Sequence, residues 1–192
     1  MAALIIGCFV ALLYVIEFVD GLLNHRLDAY GIQPLTLDGL SGILFAPLLH
    51  GGWDHLAANT IPLLVLGFLT LMTGITRGLA ATAIIWVIGG LGTWLTGGPN
   101  TIHLGASVLV FGWLAYLLVR GIFTRSFGQI ALGAVVLLVY GSLLWGVLPG
   151  EAGVSWQGHL FGAIGGVVAA WVLSSQERGA RRAKAAHRSI LG

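Results

Sequence analysis

A chain of 192 residues that is 57% hydrophobic and only 8% charged, with a mean hydropathy of +0.95, is no ordinary soluble domain, since about a quarter of a soluble domain's residues carry charge. At about 20 residues per crossing, the length suits six membrane spans and leaves no room for a separate soluble domain. The net charge of +2 comes from basic residues bunched after the last apolar run, which points to an anionic membrane face rather than nucleic acid, and the lone Cys8, a packing residue in an apolar helix, excludes an internal disulfide.

The apolar runs, bounded by glycine, proline or charge, predict spans over about residues 3–23, 55–73, 79–95, 105–119, 129–148 and 156–173. The first run lacks a basic leader and is read as a retained span. Residues 1–176 are expected to form one membrane domain and residues 177–192 a basic tail. Under six spans, eight of the nine basic residues share one side: Arg77, Arg120, Arg125, Arg178, Arg181, Arg182, Lys184 and Arg188. Arg26 alone lies on the other. The positive-inside rule then places both termini in the cytoplasm, in a multi-pass protein of the cell membrane.

The first outward loop, about residues 24–54, is long enough to be functional or disordered. Its apolar content, including Leu35, Leu37, Leu40, Ile43, Leu44 and Phe45, argues for short amphipathic helices in the interface. Glu17 and Asp20, one turn apart at the outer end of span one, read either as proton-relay groups or as interfacial caps paired with a group such as Arg26.

Polar side chains inside spans are costly and are functional candidates by default. His55 and Asn59 lie four residues apart on one face of span two, before Pro62, and His159 stands in span six within WQGHLFGAIGG. The fourth span opens on Ser107 and, counted from Gly105 to Arg120, rises about 22 Å, short of a hydrocarbon core of about 30 Å. Ser107 is therefore expected below the membrane surface, facing a cavity. Counted from the cytoplasmic ends of their spans, Ser107 and His159 both stand roughly 20 to 23 Å up, and Asn59 lies at a similar level.

A serine needs an adjacent base to act as a nucleophile, and imidazole suits that work near neutral pH. No acid lies at this level in spans four or six, so the pattern implies a Ser-His dyad oriented by packing or hydrogen bonding. Oxyanion donors would be the Ser107 N–H, at a helix N-terminus, with the Asn59 and His55 side chains. Gly158, Gly162 and Gly166 form a GxxxGxxxG ridge that lets span six approach span four. Singly, each feature has a plainer reading: Ser107 as a helix cap, His159 and Asn59 as interhelical hydrogen-bonding groups, and the ridge as packing. Their common depth favours the functional one. His103, without the glycine setting of His159, reads as a loop residue.

HGGWDHLAAN on span two, GAS opening span four, and GH followed by glycines three and seven positions on in span six resemble the rhomboid intramembrane serine proteases. The resemblance covers nearly the whole chain, including the long first loop with YGIQP. It implies an all-α, six-helix bundle with a short recessed fourth helix, and cleavage of peptide bonds in or beside transmembrane segments without metal, nucleotide or other cofactor. Carried over residue by residue, Ser107 is the nucleophile, His159 the base and acid, and His55, Asn59 and the Ser107 amide the oxyanion hole. Gly105 matches the first glycine of the family's GxSG, His50 a loop histidine, and Phe111 an aromatic ring against the catalytic histidine. Val108 stands where GxSG has its second glycine, and a β-branched side chain there is expected to crowd span six or narrow the substrate's approach.

The reading is a serine endopeptidase whose partners are transmembrane substrates and membrane lipids; the resemblance implies substrate spans that unwind near small residues, and the sequence assigns no oligomeric state. The glycine-rich segment PGEAGVSWQG is expected to cap the site. The alternative is a catalytically silent rhomboid-like protein that binds client helices, supported by Val108 alone. A small transporter is disfavoured because the two halves show no repeat.

Overall fold

The computed structural model describes the backbone of residues 1–150 and 153–191 and the side chains through residue 175. Glu151 of the expected cap and the side chains of the basic tail lie outside these. Helices α1 (Ala2–Leu22), α3 (Trp53–Met72), α4 (Ile75–Thr96), α5 (Ser107–Thr124), α6 (Phe127–Tyr140) and α7 (Trp156–Leu191) follow the six apolar runs, and a short α2 (Gly39–Phe45) lies in the first loop. Six segments among the described residues are long and apolar enough to cross a membrane, the fifth being α6 continued by the 3₁₀ turn Gly141–Val147. The protein is an all-helical, multi-pass membrane protein.

The fourth span sits at the centre. Its buried side chains run from Val108 to Leu117 without a break, where a helix facing lipid on one side would alternate. It has α7 on one side, α3, α4 and α6 around the rest, and a core built from Leu109, Leu114 and Tyr116 together with Leu63, Leu66 and Ile85. The helix is longer than its sequence suggests: 18 residues, rising about 27 Å. Arg120 does not end it. That arginine is 2% exposed, donates to Gln129 Oε1 at 3.0 Å and to the Tyr116 hydroxyl, and lies over the Tyr116 ring, so its charge is met inside the bundle. The helix stops at Arg125, whose left-handed backbone (φ 54°) forms the C-cap.

Glycine sets the approach of α7, and it does so on two sides. A Cβ on Gly162 would collide with the Val108 carbonyl and one on Gly166 with the Gly112 carbonyl, both on α5. Gly158 departs from the expected ridge, since its nearest neighbours are Ser155 and Thr93 rather than α5. A second glycine surface faces α7 from α4, where Gly92 lies under the Phe161 ring and Gly89 beside Gly162. Cys8 is exposed on α1 rather than packed inside; on an outermost helix a thiol is apolar enough to face lipid.

The first loop is ordered by hydrogen bonds to α4. Trp86 Nε1 donates to the Ile43 carbonyl at 2.8 Å and Trp94 Nε1 to the Thr36 carbonyl at 2.9 Å. Leu35, Leu37 and Leu44 remain exposed, as expected of a segment lying in the interface. Ile32 pairs with His103 as an antiparallel bridge, which ties this loop to the residues ahead of Ser107.

Candidate active site

Ser107 is the first residue of α5, and the turn that delivers it is built from three restraints. Gly105 takes φ +124°, a backbone that side chains rarely adopt, and a Cβ there would lie 2.7 Å from the His55 ring. The Gly105 N–H donates to the Ala46 carbonyl at 2.8 Å, and the Ala106 N–H donates to His50 Nε2 at 3.3 Å. Ala106, not Ser107, is the N-cap, so the serine hydroxyl is left free of capping duty.

That hydroxyl lies 2.9 Å from His159 Nε2. On the other side of the ring, His159 Nδ1 is 2.8 Å from the Gly146 carbonyl. A carbonyl only accepts, so Nδ1 carries the proton and Nε2 presents its lone pair to Ser107. Phe111 stacks on the ring with centroids 3.9 Å apart and planes 6° from parallel. Gly146 was not readable in the sequence as part of this constellation: it acts through a backbone carbonyl, which any residue has.

His55 and Asn59 face the same cavity. Asn59 Nδ2 donates to the His55 carbonyl at 2.9 Å, which fixes the amide's orientation and leaves its second N–H available. His55 Nδ1 accepts from the Gly51 N–H at 3.4 Å, which leaves the proton on Nε2. The first N–H groups of α5 have no intrahelical acceptor. Ser107, His159, His55, Asn59, Phe111 and Gly146 all line one cavity of about 1050 Å³, and so do Pro149, Gly153 and Val154 of the segment expected to form a cap.

His50 is 2% exposed and packs edge-to-face on His55, with ring centroids 5.1 Å apart. Burial, and then the neighbouring His55, push its pKa down from 6.5 to about 3. An unfolded chain would take up this proton near 6.5, so between there and about 3 the unfolded state binds more protons and stability falls as pH falls. Above 6.5 both states are neutral and the term vanishes. The melting temperature in detergent should therefore drop on acidification below about pH 6, by up to about 1.4 kcal/mol of stability per pH unit. His50→Asn should flatten that slope, and an unchanged slope would remove His50 from the acid response.

His103 is not placed to serve Ser107. Ser155 Oγ lies 2.7 Å from His103 Nδ1 and accepts the Gly158 N–H at 3.3 Å, while His103 Nε2 lies 2.9 Å from Thr101 Oγ1, whose hydroxyl donates to the Gly98 carbonyl. With both ring nitrogens engaged and burial lowering its pKa, His103 is a neutral brace between the approach to α5 and the start of α7.

Val108 points away from the cavity that holds the dyad's partners. It is 8% exposed, and its Cγ2 methyl occupies the hollow that Gly89 of α4 and Gly162 of α7 leave open. Gly89→Ala should therefore destabilise by about 1–3 kcal/mol through overpacking, and Val108→Gly added to it should recover part of the loss. Additive effects of the two changes in thermal unfolding would show that the methyl and the hollow are not coupled.

A multi-pass membrane bundle with a serine and a histidine in contact at the N-terminal ends of two of its spans is a narrow class. A family model, the rhomboid domain, matches residues 38–176, and the chain belongs to the rhomboid family. It is 59% identical over 187 residues to an uncharacterized protein of Mycobacterium tuberculosis, covering 93% of this chain and 78% of that protein. A Mycobacterium leprae protein, also uncharacterized, is 54% identical over the same length, covering 93% and 74%. Rhomboid-type serine protease 2 of Yarrowia lipolytica is 32% identical over 145 residues, covering 69% of this chain and 46% of the yeast protein.

Proposed function

We propose that this protein is an intramembrane serine endopeptidase that cleaves transmembrane or juxtamembrane segments of other membrane proteins by a Ser107-His159 dyad. The observation that carries the reading is the 2.9 Å contact between Ser107 Oγ and an imidazole nitrogen whose other nitrogen is held by a carbonyl. Ser107 attacks the substrate carbonyl as His159 Nε2 takes its proton. The Ser107 N–H, Asn59 and His55 donate to the oxyanion of the tetrahedral intermediate. His159 returns the proton to the leaving amine, and water, with the same histidine as base, then hydrolyses the Ser107 ester to free the carboxylic acid product and the serine hydroxyl. Water and substrate meet in the cavity of about 1050 Å³, where spans that unwind near small residues expose a scissile bond.

The silent, client-binding alternative rests on Val108, and its methyl sits in the Gly89 hollow instead of over Ser107. The test is direct. Purified protein should be labelled by a fluorophosphonate probe and should cleave a model transmembrane substrate, and Ser107→Ala should do neither; equal behaviour of the two proteins would end the protease reading. We place both termini, with the tail at residues 177–192, in the cytoplasm of the cell membrane; a reporter fused at Arg125 that reads as external would reverse this orientation.

A further inference from the structure

We propose that Asp20, His25 and Asp28 form a binding site for a divalent transition cation of the zinc type at the outer end of α1. The backbone builds this site deliberately. After α1 ends, Asn24 and His25 both take left-handed conformations, φ 54° and 58°, although neither is glycine. The His25 N–H returns to the Asp20 carbonyl at 2.9 Å, and this reversal lays the imidazole over the Asp20 side chain. The Leu27 N–H then donates to Asp20 Oδ1 at 2.7 Å, which fixes the carboxylate and leaves Oδ2 turned toward the loop.

Three donor atoms converge there. His25 Nδ1 is 3.5 Å from Asp20 Oδ2 and 4.0 Å from Asp28 Oδ2, and one ligand atom from each residue lies within 4.8 Å of the others. Tetrahedral ligands bonded at about 2.0–2.1 Å stand about 3.4 Å apart, so a small contraction brings the three onto one ion. Asp20 is 1% exposed, yet its Oδ2 has no hydrogen-bond partner among the described residues, and neither has the buried Oδ1 of Asp28.

A separate residue points the same way. Glu17, one turn before Asp20 on the same helix face, is 1% exposed with Oε1 unpartnered, and it lies within electrostatic reach of Asp20, Asp28 and His25. No ion pair joins Arg26 to Glu17 or Asp20 among the described residues, and His25 is the partner instead. Held as anions, Glu17, Asp20 and Asp28 carry more charge than the one histidine beside them can balance. Buried charges are paired, coordinate metal or are neutralised by a proton, and a divalent ion with neutral His25 as ligand holds these carboxylates as anions without protonating them. The imidazole decides the class: calcium and magnesium take all-oxygen shells, whereas zinc and its first-row neighbours accept nitrogen with carboxylate.

The experiment uses the full chain in detergent, without a histidine tag, stripped by chelator and titrated with zinc alone. One zinc per chain should bind, raise the melting temperature and resist displacement by millimolar calcium or magnesium. His25→Ala and Asp28→Asn should each weaken binding by at least about 10- to 100-fold, the loss seen on removing even a ligand's supporting partner. His25 has a 53% exposed side chain, so His25→Ala should melt like the wild type in chelator, and His25→Gln stands in if it does not. Absence of zinc uptake by the wild type, equal zinc affinity in the His25→Ala/Asp28→Asn variant, or displacement by calcium would each overturn the proposal.

Discussion

His159→Ala should lower kcat for a transmembrane substrate by on the order of 10⁴-fold or more, and Ser107→Ala should do the same. The double variant should be no slower than either single one. Residues that act as a unit are grossly non-additive: without the base the Ser107 hydroxyl keeps its proton, and without the hydroxyl the base has nothing to activate. The geometry makes the dependence strict, because the described residues give Ser107 Oγ one side-chain partner, His159 Nε2. Phe111→Ala should fall between these and the wild type, since it removes the ring stacked at 3.9 Å but leaves the Gly146 hydrogen bond that fixes the tautomer. Cleavage rates of one purified substrate by the four variants supply the test. If the double variant lost the product of the single effects, Ser107 and His159 would be acting independently and the dyad would fail.

The residues of this site were legible for a physical reason. A histidine or amide inside an apolar run must be balanced by something, so His55, Asn59 and His159 stand out against their surroundings, and helical rise alone brings Ser107 to their depth. What escaped is carried by the backbone or by the absence of a side chain. Gly146 orients His159 through a carbonyl, and nothing in its residue type announces that. Gly89 and Gly92 of α4 were visible only as abundant glycine, because which neighbour a missing Cβ admits depends on the rotation of each helix. The C-terminal end of α5 was misplaced for a related reason. An arginine in an apolar sequence marks a boundary unless partners meet it inside, and the partners of Arg120 are an i−4 tyrosine and a glutamine from the next helix. Pairing of Asp20 with His25 rather than Arg26 likewise required two left-handed residues that no local pattern predicts.

Gly166→Val should dismantle the site from further along the α5-facing side of α7, roughly two helical turns from His159. A Cβ at this position would overlap the Gly112 carbonyl and lie 2.9 Å from the Tyr116 backbone nitrogen. Neither is the movable end of a side chain, so α7 must shift away from α5. Overpacking of this kind typically costs about 1–3 kcal/mol, occasionally more, and here it falls on the helix pair that holds Ser107 and His159 together. A displacement of about 1 Å is enough to lose on the order of 10²-fold in rate. Gly166→Val should thus lower the melting temperature and cut substrate cleavage by about that factor or more, with a corresponding loss of probe labelling. Gly7→Val makes the control, because a Cβ on Gly7 meets nothing within 4 Å; it exchanges one lipid-facing surface for another and should retain wild-type stability and activity. Equal behaviour of the two variants would mean that the close approach of α7 to α5 does not position the dyad.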